Sequence, residues 1–312
     1  MSKTVFSAGD PLTPAWLHAS GGSDATSGHQ HTGLDQDGSV PKVNLSAAAH
    51  VTGELPRANT IPGLFYMDGM TIRRHPDEYD TSVSVGSCAD ANGVVRMTVS
   101  SAISKDITAT WAVGTNNGGM ASGVSLVNGT WYKFYLISDG TTVDAGYDSS
   151  TVAANLLTDS GYSYYRYLGC VYYVDGTDYI RSYYALGDTF RWAEAQQDAS
   201  AQALALNTTV DIDLSVPDGA ASLALVSFLC TNGINTFQTQ VWDDIVTTYS
   251  SGNGIGIQGA AGDIVNMEIE AASVWVGGLN QLHVRQYSGA TSGSITVRTR
   301  GWRDLRRTAN RT

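Results

Sequence analysis

Between residues 209 and 216 every second side chain is apolar: Val210, Ile212, Leu214 and Val216 alternate with Asp211, Asp213 and Ser215. Successive side chains of a strand point to opposite faces, so this pattern suits a half-buried β-strand and not a helix. The period of two returns where Val265, Met267 and Ile269 alternate with Asn266, Glu268 and Glu270, and where Ile295 and Val297 alternate with Thr296 and Arg298. Residues 94–99 and 131–137 are also strand-like, set off by Ala91-Asn-Gly, Asn116-Asn-Gly-Gly, Asn128-Gly and Ser138-Asp-Gly, sequences that favour tight turns. Residues 164–173 and 179–184 are expected to form a hairpin across Asp175-Gly-Thr-Asp, and only residues 149–157 have helical character. Short strands with one wet face each predict an all-β fold of antiparallel β-sandwich or jelly-roll type.

The pattern divides the chain. Residues 1–63 carry Pro11, Pro14, Pro41, Pro56 and Pro62 and a Ser/Gly/Asp stretch, with apolar anchors such as Phe6, Trp16, Leu45 and Ile61. Such a segment cannot bury a core of its own and is expected to run extended against a partner chain. Residues 64–192 are expected to form one β-sandwich, 193–206 an Ala/Gln-rich connector, and 207–312 a second sandwich at the receptor-binding tip. The two β regions end alike, in Thr189-Phe-Arg-Trp192 and Thr299-Arg-Gly-Trp302. Two related sandwiches or coincidence explain this equally well.

Charge narrows the partners. The net charge of −11 argues against a general nucleic-acid binder, which needs a basic face to displace counterions. Six Arg and one acid between residues 298 and 311 make a basic end on an acidic body, read first as a solvated or self-paired tail. Cys88, Cys170 and Cys230 are odd in number, widely spaced and without metal-binding spacing, so they read as small buried hydrophobes of a chain folded in a reducing cytosol. No basic-plus-apolar leader opens the sequence, and its longest apolar stretch, near 223–230, is too short to span a bilayer. Neither membrane insertion nor secretion by a signal peptide is expected.

Among local motifs, Gly28-His-Gln-His-Thr-Gly33 is the sharpest. On an extended chain residues i and i+2 point the same way, so His29 and His31 can share one ligand. Three chains about a threefold axis would offer six imidazoles, a set that suits Fe or Ni better than tetrahedral Zn. A hydrogen-bonded His pair in a polar loop is the alternative. Nine of the 16 Tyr fall in residues 162–184, read as core and subunit interface before sugar stacking. Trp242, Tyr249, Trp275 and Tyr287 lie close to Gly/Ser/Asn loops and are the candidate ligand-binding rings. No G-x-S-x-G, P-loop, H-E-x-x-H or dinucleotide turn occurs. Asp243 and Asp244, adjacent on an expected strand, would face opposite ways and cannot act as one acid/base pair. The chain is therefore expected not to be an enzyme.

The stretch from Gly28 to Val43, Gly-His-Gln-His-Thr-Gly-Leu-Asp-Gln-Asp-Gly-Ser-Val-Pro-Lys-Val, resembles the leading segment of caudoviral tail-fibre proteins, with Gly53-Glu-Leu-Pro-Arg-Ala and Ile61-Pro-Gly extending it. Val85-Gly-Ser-Cys-Ala-Asp, Trp111-Ala-Val-Gly-Thr-Asn-Asn-Gly-Gly-Met, Asn128-Gly-Thr-Trp-Tyr-Lys-Phe-Tyr-Leu-Ile, Val143-Asp-Ala-Gly-Tyr-Asp and Tyr162-Ser-Tyr-Tyr-Arg-Tyr-Leu-Gly are similar to a module of phage and prophage fibres. Thr299-Arg-Gly-Trp-Arg-Asp resembles that module's closing strand. The likeness covers residues 28–192 well and the C-terminal region more loosely. It implies a homotrimeric, β-rich virion component, joined to a phage tail or baseplate protein and binding a bacterial surface glycan, with no catalytic residues to carry over. The chain departs from long fibres in being short and lacking a repetitive shaft. A glycan depolymerase or deacetylase, or a purely structural tail connector, are the competing readings.

Overall fold

The computed structural model describes residues 66–305 apart from 75–77, 177–178, 218–221, 233–236, 244–254, 260–263, 270–274, 277–279 and 289–292. The described residues all belong to one compact unit, Arg57–Thr312. Its first half runs β1 (Met67–Gly69), β2 (Ile72–Arg74), β3 (Asp80–Val83), β4 (Gly86–Ala89), β5 (Arg96–Val99), β6 (Ile103–Thr110), β7 (Asn117–Met120), β8 (Thr130–Ser138), β9 (Val143–Asp148), helix α1 (Ala154–Ser160) and β10 (Tyr164–Tyr173). The second half continues with β11 (Tyr183–Leu186), β12 (Thr189–Leu204), β13 (Thr209–Asp213), β14 (Ser222–Asn232), β15 (Phe237–Asp243), β16 (Ile255–Gly259), β17 (Ile264–Ile269), β18 (Trp275–Val276), β19 (Gln281–Ser288) and β20 (Gly293–Asp304). The fold is all-β.

In the first half a seven-stranded sheet, ordered β10-β8-β9-β7-β6-β3-β2, accompanies a three-stranded sheet, β1-β4-β5. In the second half a six-stranded sheet, β11-β12-β20-β14-β17 with β18 beside β14, accompanies a four-stranded one, β13-β19-β15-β16. Almost all pairs are antiparallel. β7 is the departure, lying parallel to both β6 and β9. Glycine lets it in: a Cβ on Gly119 would sit 2.7 Å from the Lys105 Cβ and 2.9 Å from the Tyr147 ring, and one on Gly118 only 2.0 Å from the Thr110 carbonyl.

One wet face per strand is right for β20, whose Ile295, Val297 and Thr299 turn inward while Arg298 and Arg300 turn out. It is wrong for β8 and β9, which are buried on both faces. β5 lies against both, and the loop after β7 folds over β8, its Val127 N–H donating to the Tyr132 hydroxyl, which donates in turn to the Ser125 carbonyl. The helix starts later than expected. Asp148 accepts from the Ser150 and Leu156 N–H groups and the Asn155 amide, which holds residues 149–153 in a turn before Ala154.

The domain expectations need two corrections. Residues 193–206, read as a connector, supply most of a 16-residue strand, β12, paired along β20. The look-alike ends around Trp192 and Trp302 belong to that one ladder, with Phe190 opposite Trp302, so β11 and β12 lie in the second half's sheet and the expected boundary after residue 192 falls inside a strand. The expected hairpin of residues 164–184 is reduced to an isolated bridge, Tyr173 with Ile180. β10 pairs β8 and β11 pairs β12, because the longer partners offer longer ladders. Cys88, Cys170 and Cys230 are buried thiols, as expected.

Burial also sets the alkaline limit of the fold. It pushes Tyr132, Tyr147 and Tyr183 above their ordinary value of 10.0 and Cys230 from 9.0 up to about 12. Above pH 9 the unfolded chain releases these protons first, the native state holds more of them, and stability falls as pH rises. Tyr162, Tyr165 and Tyr173 are raised by burial as well, and Lys105, lowered by burial, works the other way, one group against seven. Melting temperatures should therefore drop steadily from pH 9 to 11.5, and less steeply for Cys230→Ala between pH 9 and 12. A flat profile would mean that these groups reach solvent.

Candidate binding surface

β11 and the start of β12 form a hairpin closed by Gly187-Asp188, with Gly187 at φ +61°, a conformation glycine adopts without strain. Its register sets Tyr183 opposite Trp192, Tyr184 opposite Arg191 and Leu186 opposite Thr189. Alternation then sends adjacent tyrosines opposite ways. Tyr183 turns in, 5.8 Å from Phe190 and 6.5 Å from Trp302. Tyr184 and Leu186 turn out together, 71 % and 84 % exposed.

The hairpin rests on a dense aromatic base. The Trp302 ring stacks on Phe190 at 4.9 Å and 3°, and Trp131 and Trp192 each meet it at 5.1 Å. The Trp192 indole donates to the Ser215 carbonyl at 3.2 Å. At the turn, Arg303 Nε donates to Asp188 Oδ2 at 2.8 Å and the Asp304 N–H to the Asp188 carbonyl at 2.8 Å. Offset and edge-on aromatic contacts add to the area they bury, so the two outward side chains stand on a rigid support. Beside them, where β12 runs past the end of β11, an open groove of about 440 Å³ is lined by Arg181, Ser182, Ala193, Glu194, Ala195 and Gln196.

Charge is also buried far from this edge. Lys105 is closed to solvent and donates to Asp144 Oδ2 at 3.0 Å and to the Ala112 carbonyl at 2.6 Å, with its Nζ 5.3 Å from the Trp111 ring centre. Asp144 accepts further bonds from the Gly114 and Ala145 N–H groups. Desolvation draws the lysine below its ordinary value. Every partner is structural: the pair clamps the loop between β6 and β7. Asp198 plays a similar part on β12. Its carboxyl is raised by burial and accepts from Ser215 and Thr299.

The expected ring residues do not form one surface among the described residues. Trp242 sits on β15 opposite His283, its ring 5.7 Å from the imidazole and only 7 % of the residue exposed. Its neighbour Val241 holds the core-facing position, and Trp242 is buried on the other face, so both faces of β15 are covered there. Tyr287, on β19, is half-buried. Trp275 lies on the two-residue strand β18, its backbone opposite Leu223, and its side chain lies outside the described residues, as does Tyr249. His29 and His31 also lie outside them, and among the described residues no three His, Cys, Asp or Glu side chains group as metal ligands. Of the nine tyrosines in residues 162–184 only Tyr184 is exposed. The sequence carries part of the signal: in Tyr183-Tyr184-Ala-Leu before a Gly-Asp turn, the two tyrosines must take opposite faces.

Neither a family model nor a curated protein matches the chain. Among solved structures, a chain from the structure of infectious bursal disease virus, Gx strain, is similar at 12 % identity and a TM-score of 0.23, over 77 % of this chain and 70 % of that one. No helix among the described residues is long and apolar enough to cross a membrane.

Proposed function

We propose that this chain is the attachment subunit of a tail-fibre-type virion component, a homotrimer that adsorbs to a bacterial surface glycan without cleaving it. The observation that carries the reading is the hairpin of β11 and β12. It presents Tyr184 and Leu186 side by side and exposed on an aromatic base that holds them still. A large ring displayed at low entropic cost suits stacking on sugar faces. The tail-fibre likeness of residues 28–192 supports the same assignment. The two sheets of each half are consistent with a sandwich or jelly-roll layout, with residues 1–63 joining a tail or baseplate protein and His29 and His31 meeting on the trimer axis about Fe or Ni. Trp275, Tyr249 and Tyr287 remain the second candidate contact.

A glycan array combined with a reducing-sugar release assay tests the reading: binding without release is expected, and release would make the chain an enzyme. Replacing Tyr184 and Leu186 together by Ser should weaken binding by about 1–3 kcal/mol per site, by analogy with bases stacked on aromatic rings, and reduce whole-cell adsorption further because sites on one trimer act together. Unaltered adsorption would move the contact to the second set. Light scattering should give about three times 33.1 kDa, with one metal per three chains that is lost in His29→Ala.

A further inference from the structure

The register of β12 against β20 jumps between two points: Arg191 pairs with Gly301, and the next partners are Gln196 and Thr299. Five steps along one strand answer two along the other. The extra residues bulge out of the ladder, and bulges of this kind bend a strand and re-aim its side chains. Here they carry Ala193, Glu194 and Ala195 into the groove beside the hairpin, all three exposed. The Ala193 N–H donates to the Ser182 carbonyl at 3.0 Å and closes the end of β11. The side-chain amide of Gln196 donates to the Glu194 carbonyl at 2.6 Å and fixes the bulge.

The opposite wall is equally set. Arg181 lies over the Tyr172 ring, its guanidinium carbon 5.6 Å from the centroid, and its N–H donates to the Tyr172 carbonyl at 2.9 Å. Tyr172 in turn meets Trp131 at 5.1 Å and Trp192 at 6.1 Å. A guanidinium seated on a packed ring is ordered before any ligand arrives. Neither Arg181 nor Glu194 has an ion-pair partner among the described residues.

We propose that this groove binds one neutral, polyhydroxylated ring, a saccharide residue, with Arg181 donating to hydroxyl oxygens and Glu194 accepting from hydroxyl hydrogens. An anion would meet Glu194 and a cation would meet Arg181. An apolar ligand would strip water from both charges and replace it with nothing. Hydroxyls donate and accept at once, so vicinal hydroxyls satisfy both walls, with Ser182 beside them. The groove's volume of about 440 Å³ is within the usual range for small-molecule clefts. The assignment names a subsite of the attachment surface and rests on that reading.

Saturation-transfer NMR on the full chain tests it, with the methyl glycosides of glucose and galactose as neutral probes and glucuronate and glucosamine as charged ones. A dissociation constant on the order of 1 mM is expected for a neutral ring of about a dozen heavy atoms. It should weaken at least tenfold in both Arg181→Lys and Glu194→Gln, whose melting curves show whether the fold is kept. Absence of any neutral-sugar signal, or glucuronate binding that strengthens in Glu194→Gln, would overturn the assignment. Whole-cell adsorption run in parallel separates the two ideas. Adsorption that is unchanged in Arg181→Lys, with no sugar bound, removes the groove and leaves attachment standing. Sugar bound without adsorption removes attachment and keeps the groove.

Discussion

Trp302→Ala is expected to lower stability by about 3–5 kcal/mol, the range for losing a large buried aromatic side chain. Trp302 is fully buried and is shared by Phe190, Trp131, Trp192 and Tyr183. Four rings therefore lose contact area together, and they belong to strands of both halves, so the cavity has little means of collapsing. Trp302→Phe should lose much less, within about 2 kcal/mol. The indole N–H of Trp302 has no hydrogen-bond partner among the described residues, so a phenyl ring gives up packing and no polar contact. Urea melts of the two variants check this. Equal losses would show that indole volume, and not ring stacking on Phe190, dominates. The same Ala variant should release Tyr184 and Leu186 from their support and reduce adsorption even where the protein remains folded.

Asp144→Ala is expected to be as damaging, at about 3–5 kcal/mol, because it leaves the Lys105 ammonium buried without its counter-charge. Removing both charges in Lys105→Met with Asp144→Leu should recover most of that loss, since a buried ion pair gains little over apolar side chains of similar size. A double-mutant cycle in denaturant measures the difference. In both variants the amide of Gly114 loses its acceptor, and its hydrogen exchange should accelerate. If Asp144→Ala melts like wild type, the lysine has found another anion and the clamp is not what holds the loop.

Much of the fold is legible in the period of two. Of residues 209–216 the first five became β13, with Ile212 buried between exposed Asp211 and Asp213, and Ile295 and Val297 lie inside β20 as the alternation requires. β8 was recognisable as a strand, but a run of apolar residues cannot say that both faces are covered. β12 was missed because Ala, Gln, Asp and Ser have neither alternation nor strand propensity over 193–203. Partners far along the chain hold it: Gly293 to Arg303 opposite, and Asp198 bound to Ser215 and Thr299. The binding surface was half legible. Rings near Gly/Ser/Asn loops are candidates for a surface, but loop proximity does not fix exposure, and Trp242 is buried. For Tyr183 and Tyr184 parity was certain, and only the sense needed the pairing with Trp192 and Arg191.

The long ladder of β12 on β20 has a mechanical meaning. Antiparallel hydrogen bonds run perpendicular to the strands, so a pull along either strand loads the bonds of that ladder side by side instead of one after another. From Thr189 to Leu204 the ladder spans the aromatic base at one end and residue Gly293 at the other. If the chain has the attachment role proposed above, traction on a tethered particle would meet shear resistance along the strand that carries the exposed hairpin. Three register shifts interrupt that line, and the bulge at residues 192–195 is the widest of them, so yielding would begin there, next to the groove.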